Sequence, residues 1–494
     1  VPLWSVLLGL WPYLLIAVQV TGILFAIDAI MRGRTPQGTI AWALGLVTFP
    51  LLAIPLYLAF GSRRFYGYIS ARRRGDRRLA DLGRRVCELM LPARRSAAAE
   101  SSDPSDDADP HAVLESLARL PATDANAVSL LIDGPDTFAA LLAAIDRAQR
   151  YILVQFYIIR DDRIGSLFQE HLLTAAARGV RVYLLYDDVG SASLSRAWLR
   201  RLEDAGCAVA AFKNSRIPRN RFKINFRNHR KVVVIDGHEA LVGGHNIGDE
   251  YLGRDDTGGP WRDTHLGLTG PAVAGAQLAF VEDWQWATGA VPELHWSAEP
   301  GSAAGVAENA PDTDQRVLVV PSGPADDVET CHLLFSHLIT TARRRLWIAT
   351  PYFVPDEGII NALQLAALRG VDVRVIMPRR PDSFLVALSH LTFDPQSVGQ
   401  GVKLYRYNAG FLHQKCVLSD DVAAIGTANF DNRSFRINFE ITVVVRSQPF
   451  IAQVQTMLHR DFERCHRVGA GDFAQRHAVL RFAARCARLL APLQ

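Results

Sequence analysis

The chain has 494 residues, too many for one ordinary hydrophobic core, so more than one compact body is expected. Its 54 basic and 50 acidic residues nearly cancel, so the net charge says little about partners and the placement of charges must say more. Six cysteines (Cys87, Cys207, Cys331, Cys416, Cys465, Cys486) include no pair at metal-ligand spacing, which fits free thiols in a reducing compartment rather than a disulfide framework.

Val1 to Ile27 carries no charge, and Thr39 to Gly61 is again uncharged and mostly apolar. Each stretch is long enough for the about 20 helical residues that cross a bilayer. A cleaved signal peptide or two buried core helices would also give apolar runs. The first stretch, however, lacks a basic leader and a clear small-residue cleavage site, and a second follows almost at once. The expectation is a two-helix transmembrane hairpin over residues 1–62, with spans at about 3–27 and 39–61, in which Pro50 and Pro55 are tolerable. The connection carries only Arg32 and Arg34, whereas the exit from the second stretch (63–110, a basic segment and linker) begins with Arg63, Arg64, Arg72, Arg73, Arg74, Arg77 and Arg78. The positive-inside rule then predicts a multi-pass topology with the remaining chain in the cytoplasm, its arginines lying against anionic headgroups.

Beyond the Ala-, Ser- and Asp-rich linker ending near Pro110, the chain repeats itself in outline, and a second linker at 297–314 separates the halves at 111–296 and 315–494. A strand-like run through Tyr157 (YILVQFYII) resembles one through Tyr352 (LWIATPYFV). Ala-Arg-Gly-Val-Arg-Val at 177–182 matches Leu-Arg-Gly-Val-Asp-Val at 368–373, each after a helical stretch and each followed by an apolar strand. Alternating strands and helices predict an α/β sandwich in each half.

Each half then carries the same short pattern: His229-Arg230-Lys231 with Asp236, and His413-Gln414-Lys415 with Asp420. His and Lys two apart at the start of a β-branched run face the same way. Asp236-Gly237 and Ser419-Asp420-Asp421 read as turns, and the returning strands lead to Gly243-Gly244-His245-Asn246 and Gly426-Thr427-Ala428-Asn429. Two imidazoles and two ammonium groups facing one pocket suit phosphodiester chemistry without a metal or other cofactor. Lys231 and Lys415 offset the phosphate charge, Asn246 and Asn429 donate to its non-bridging oxygens, one imidazole attacks phosphorus and the other protonates the departing alkoxide.

At these residues the sequence resembles the phospholipase D superfamily, and more closely its bacterial cardiolipin synthases. The likeness rests on YLAFGS, NHRKVVVIDG, GGHNIGDEYLG, WRDTH, GPAV, TPYFVPDE, LHQKCVLSD and GTANFDNRSFRINFE, and lapses over the two linkers. The resemblance implies two phospholipase D-like halves around one active site in the bacterial inner membrane. It also implies phosphatidyl transfer from one phosphatidylglycerol to another through a phosphatidyl-histidine, with His229 as nucleophile and His413 as acid and base. It further implies that an acidic residue some thirty positions beyond each motif orients the catalytic His. Asp263, in Trp-Arg-Asp-Thr-His, and Glu440, in Asn-Phe-Glu, stand 34 and 27 residues past His229 and His413. The signature aspartates Asp236 and Asp420 are expected to brace their hairpins.

His245 and His265 are read as hydrogen-bonded structure. Tyr352 suits either a lipid-access groove or the core, and the basic stretch Arg216 to Lys231 either a headgroup site or a solvated loop. The C-terminal helix (Phe473 to Leu490) places arginines among apolar residues and permits interfacial binding. Anionic membrane lipids are the expected partners; nucleic acid is not, although compact relatives in the superfamily cut it. Hydrolysis to phosphatidic acid would use the same residues as transfer, and a non-catalytic scaffold would be expected to have lost at least one of the four His and Lys groups.

Overall fold

The fold is given by a computed structural model that describes residues 3–33, 36–61, 77–94, 109–213, 225–253, 259–393, 401–469 and 476–489. The arginines at 63, 64 and 72–74, and Arg216 to Lys223 of the basic stretch, lie outside the described residues. The chain divides into two units, the first built on Val1–Ser70 and the second on Ala71–Phe212 with Arg227–Gln494.

In the first unit, α1 (Leu3–Arg32) contains a 22-residue apolar segment, Trp11–Arg32, that can cross a membrane. The second apolar stretch does not form a matching span. It is broken into α2 (Pro36–Thr48) and α3 (Pro50–Phe60), of 13 and 11 residues, each short of the about 20 needed. The break has a local cause. Pro50 has no N–H for a continuing helix and crowds the residue before it, so Phe49 leaves helical geometry at φ −133°, ψ 60°, and α3 restarts with Pro50 in its first turn. The expected two-helix hairpin and multi-pass topology are therefore corrected: among the described residues one helix is long and apolar enough to span a membrane. The broken pair packs on α1: the Tyr57 hydroxyl donates to Asp28 at 2.9 Å, the Gln19 amide to the Val47 carbonyl at 2.8 Å, and Gly22 gives Leu46 and Pro50 room that any Cβ would fill.

The second unit is organised by one sixteen-stranded sheet, fifteen strands along its main path and the two-residue Arg227–Asn228 paired off it. The first half supplies β1 (Thr123–Ile132), β2 (Tyr151–Phe156), β3 (Arg181–Asp187), β4 (Ala208–Phe212), β5 (Val232–Ile235), β6 (Glu239–Gly243) and β7 (Thr264–Thr269). The second half repeats them as β8 (Gln315–Ser322), β9 (Arg345–Ala349), β10 (Asp372–Pro378), β11 (Lys403–Tyr407), β12 (Cys416–Ser419), β13 (Val422–Gly426) and β14 (Asn438–Arg446), and β15 (Cys465–Arg467) caps its edge. The spatial order is 15-11-10-9-12-13-14-8-1-7-6-5-2-3-4, so each half reads the same outward from a central antiparallel pair, β1 against β8.

Helices cover both faces, which is why β2 is buried at every position and reads as a continuous apolar run. The repeated Arg-Gly-Val also has a structural cause. Gly179 and Gly370 end their helices at φ +87° and +88°, a conformation that favours glycine. The preceding Arg178 and Arg369 donate to carbonyls of the neighbouring helix, Ile145 and Ala148 in one half, Ile339 and Ala342 in the other. Both helices before these glycines start at an aspartate cap, Asp162 on Gly165 N and Asp356 on Ile359 N.

Candidate active site

Each His-x-Lys tripeptide stands at the entrance to a motif hairpin, β5–β6 or β12–β13, with the strand alternation aiming His and Lys to one side. The two tripeptides meet in one buried pocket near the joint between the halves. His229 and His413 are only 8% and 7% exposed, and the charges of Lys231 and His229 both act on His413.

Two very short parallel ladders bring each histidine to its carboxylate, and both ladders cross between the halves. Arg227–Asn228 pairs with Asn438–Phe439, and the His229 N–H donates to the Phe439 carbonyl at 2.9 Å, which sets His229 opposite Glu440. Trp261–Arg262 pairs with Phe411–Leu412, and the His413 N–H donates to the Arg262 carbonyl at 2.8 Å, which sets His413 opposite Asp263. His229 Nδ1 lies 2.9 Å from Glu440 Oε2, and His413 Nδ1 lies 2.6 Å from Asp263 Oδ2. An ionised carboxylate only accepts, so these pairs place the proton on Nδ1 and leave Nε2 for chemistry, with Lys415 Nζ also standing 2.9 Å from His413 Nδ1. Gly244 belongs to the same construction: its backbone packs against the Asp263 carboxylate so closely that a Cβ would collide with it.

The carboxylates are supported unequally. Glu440 also accepts from Thr427 Oγ1 (2.6 Å), Ser434 Oγ (2.8 Å) and Asn438 Nδ2 (3.2 Å), and with His229 and Lys231 nearby its pKa is lowered despite burial. Asp263 accepts from the Thr264 N–H at 2.7 Å. Lys231 Nζ donates to the His229 carbonyl at 2.7 Å and stands 5.4 Å from the Tyr157 ring centre, while Lys415 Nζ donates to the His413 carbonyl.

Burial pulls the His229 imidazole down to about 4 against the opposing pull of Glu440. His413 is held well below the usual imidazole value, by burial and then by Lys415 and Lys231. Desolvation likewise lowers Lys231 well below the usual lysine value and Lys415 to about 8. Burial thus disfavours the charged form of the imidazoles and of the lysines alike, and a bound anion would favour their protonated forms. Aromatic rings wall it: Tyr157 is 5.0 Å from His229, and Trp261, Tyr251 and Phe411 are 5.3, 5.7 and 5.9 Å from His413.

The other residues singled out in the sequence fall into distinct places. Asn246 is tied up locally, its Oδ1 accepting from Ile158 N and its amide donating to Tyr251 Oη at 2.7 Å. Asn429 Oδ1 is buried without a hydrogen-bond partner among the described residues. Asp236 and Asp420 sit at the far turn of each hairpin, roughly 20 Å of strand from the histidines. Their carboxylates collect the backbone N–H groups of Gln149, Arg150 and Tyr151, and of Arg343, Arg344 and Arg345. They do not join the pocket. His245 and His265 are buried beside one another, with ring centres 5.5 Å apart. The Tyr352 hydroxyl donates to Asp382.

Sequence reasoning missed the layer beneath. Arg230 donates to Asp283 at 2.9 Å and to the Glu440 carbonyl at 3.0 Å. Arg262 makes a two-pronged pair with Asp461 at 2.7 and 2.9 Å, and Gln414 donates to the same carboxylate at 2.8 Å. Asp283 and Asp461 are buried on helices Val273–Thr288 and Gln448–Glu463. The available signal was the repeat itself: each stands about twenty residues beyond Asp263 or Glu440 and precedes an aromatic residue.

The chain is similar to known proteins. The family described as "Cardiolipin synthase, PLD-like domain" matches residues 141–256 and 335–462, one stretch in each half, and "Phospholipase_D-nuclease N-terminal" matches residues 22–62. Cardiolipin synthase A of Pseudomonas putida strain F1 is 45% identical over 490 residues, covering 97% of this chain and 98% of that protein. Cardiolipin synthase A of Pseudomonas aeruginosa strain LESB58 is 43% identical over 486 residues, covering 97% and 95%. Among solved structures, the phosphatidylserine synthase of Haemophilus influenzae matches with a TM-score of 0.56 at 14% identity, over 74% of this chain and 95% of that one, a likeness of fold. With the duplicated His-Lys pocket and near full-length identity above 40%, the chain belongs to the cardiolipin synthases of the phospholipase D superfamily.

Proposed function

We propose that the protein is a cardiolipin synthase that transfers a phosphatidyl group from one phosphatidylglycerol to the glycerol hydroxyl of a second. The observation that carries this reading is the pair of His–carboxylate couples facing one pocket, in a chain with near full-length likeness to cardiolipin synthases.

His229 Nε2 attacks phosphorus while Glu440 holds the Nδ1 proton and stabilises the cationic phosphoryl-imidazole. The bond from phosphorus to the glycerol oxygen breaks, and His413 Nε2 gives that oxygen its proton. His413, now neutral, takes the proton of the incoming phosphatidylglycerol hydroxyl. The freed oxygen displaces His229, giving cardiolipin and restoring both imidazoles. An arriving phosphodiester adds negative charge beside the two lysines, and so lifts His413 from the low value that burial and those lysines impose. The unequal carboxylates support the division of labour. Asp263, with fewer donors on it, keeps more charge for an imidazolium at His413, and Glu440 is spread over four donors. Lys231 and Lys415 neutralise the non-bridging oxygens of phosphate.

Supplying the purified full-length protein with phosphatidylglycerol labelled in its terminal glycerol tests the reading. Cardiolipin and free glycerol in equal amounts are expected. Phosphatidic acid with no cardiolipin would assign the chemistry to hydrolysis, and no conversion of lipid would remove both.

A further inference from the structure

In the second half, a cleft of about 800 Å³ opens beside β10, β11 and β15, bounded by helix Phe384–Leu391 and the start of the C-terminal segment. Arg379, Arg380, Arg406, His466 and Arg476 line it together with apolar side chains, and no carboxylate is among the lining residues. Arg406 donates to the His390 carbonyl at 3.0 Å; Arg379, Arg380 and Arg476 make no ion pair among the described residues. Guanidinium groups gathered around one cleft repel each other unless an anion enters. Their planar forks match the oxygens of a phosphate.

An apolar edge adjoins this cleft. The C-terminal helix (Ala478–Leu489) packs against helix Phe384–Leu391, with Ala484 and Ala487 turned inward. On its outward face Val479, Phe482, Cys486 and Leu489 recur at three- and four-residue spacing, and Val479, Phe482 and Leu489 are 69%, 71% and 80% exposed. Phe384, 76% exposed, lines the cleft and carries the apolar edge onto the neighbouring helix. Large apolar side chains in water beside unpaired arginines have the composition of an element that lies in a membrane interface, its aliphatic part at the acyl boundary and its cations among phosphates.

We propose that this edge of the second half docks on an anionic bilayer, with the cleft holding the phosphate of a phospholipid headgroup and the Val479–Phe482–Leu489 face entering the interface. One residue of the cleft wall's own segment reaches toward the active pocket. Asp382, between Arg380 and Phe384, holds the Tyr352 hydroxyl at 2.7 and 2.8 Å, and its charge acts on Lys415. The docked bilayer would thus be the one that supplies substrate, a consequence that rests on the proposed function; the docking itself does not.

The test uses the full-length protein in a Cys87→Ser, Cys465→Ser background, labelled on Cys486 with a polarity-sensitive fluorophore. It is reconstituted in phosphatidylcholine vesicles that contain a nitroxide-bearing lipid, so the readout is contact and not turnover. Adding phosphatidylglycerol to the bilayer is expected to raise quenching at least about threefold, and Arg379→Ala with Arg380→Ala to abolish the rise. Phe384→Ser, off the labelled helix, is expected to lower quenching in the same bilayer. Equal quenching with and without phosphatidylglycerol, or a rise that survives the arginine substitutions, overturns the proposal. Binding of inorganic phosphate by the protein in phosphatidylcholine vesicles, with no rise in quenching when phosphatidylglycerol is added at constant ionic strength, would assign the cleft to a soluble anion and also overturn it.

Discussion

The two halves carry the same machinery with different wiring around it. His229 faces a carboxylate that shares its charge among four donors, in a setting anchored by Arg230 and Asp283 of its own half. His413 faces a carboxylate with fewer donors, inside a denser aromatic wall, and is anchored through Arg262, which reaches from the first half to Asp461 in the second. A duplication supplies two equivalent histidines. The different partners are what allow one to attack while the other handles protons.

The sharpest break of this comparison is to remove each histidine. Both His229→Ala and His413→Ala are expected to lower turnover by at least about 10⁴-fold, since neither half works alone. They should differ in a single-turnover experiment with phosphatidylglycerol labelled in its phosphatidyl part. His413→Ala should retain slow covalent labelling of the protein, and His229→Ala should show none. The opposite pattern would exchange the roles.

The crossed carboxylates give the next effect. Glu440→Gln and Asp263→Asn should each cost about 10²- to 10⁴-fold in turnover, by losing the charge and fixed tautomer behind each imidazole. Double-mutant cycles decide the crossing. His229 should couple to Glu440 and His413 to Asp263, and coupling of His229 to Asp263 instead would contradict the geometry.

How much of this was legible follows from the length of the interactions concerned. The duplicated His-Lys spacing, the hairpins and the two acidic residues lie in contiguous strings, and strand periodicity fixes the face they share. The crossing is not local. It depends on two-residue ladders joining positions 211 and 150 apart, too short to leave a periodic trace. The same-half pairing suggested by the spacing of Asp263 and Glu440 from their motifs is therefore replaced by exchange. The second membrane span failed for a different reason: hydropathy sums over a window and does not register that Pro50 interrupts the helix. Asp283 and Asp461 stayed hidden because a buried aspartate on a helix looks, in one sequence, like any other polar position.

Those two aspartates provide a stability test of the same asymmetry, smaller than the catalytic losses. Arg262→Met strips a buried carboxylate of its two-pronged partner and is expected to cost ~3–5 kcal/mol in denaturant unfolding. Arg230→Met should cost less, because Asp283 keeps the amides of Gln155 and Asn228, both at 2.7 Å, whereas Asp461 keeps that of Gln414 at 2.8 Å. Equal losses would mean that the contact between halves adds nothing to the pair.

The smallest expected effect separates bracing from chemistry at the signature aspartates. Asp236 and Asp420 hold φ values of +55° and +44°, which an asparagine tolerates, and each gathers three backbone N–H groups with one carboxylate. Replacing either with Asn keeps the turn but removes the charge from these hydrogen bonds and sets an amide NH₂ against at least one N–H donor. A loss of about 1–2 kcal/mol in stability is expected in either half. Turnover at a temperature well below unfolding should stay within about twofold of the parent, since the histidines are held by the crossing ladders at the other end of the hairpins. A tenfold fall in turnover with little change in unfolding would show that the turn transmits strain along the hairpin to the His-Lys end. If that happened in one half alone, it would identify the hairpin whose register the chemistry depends on.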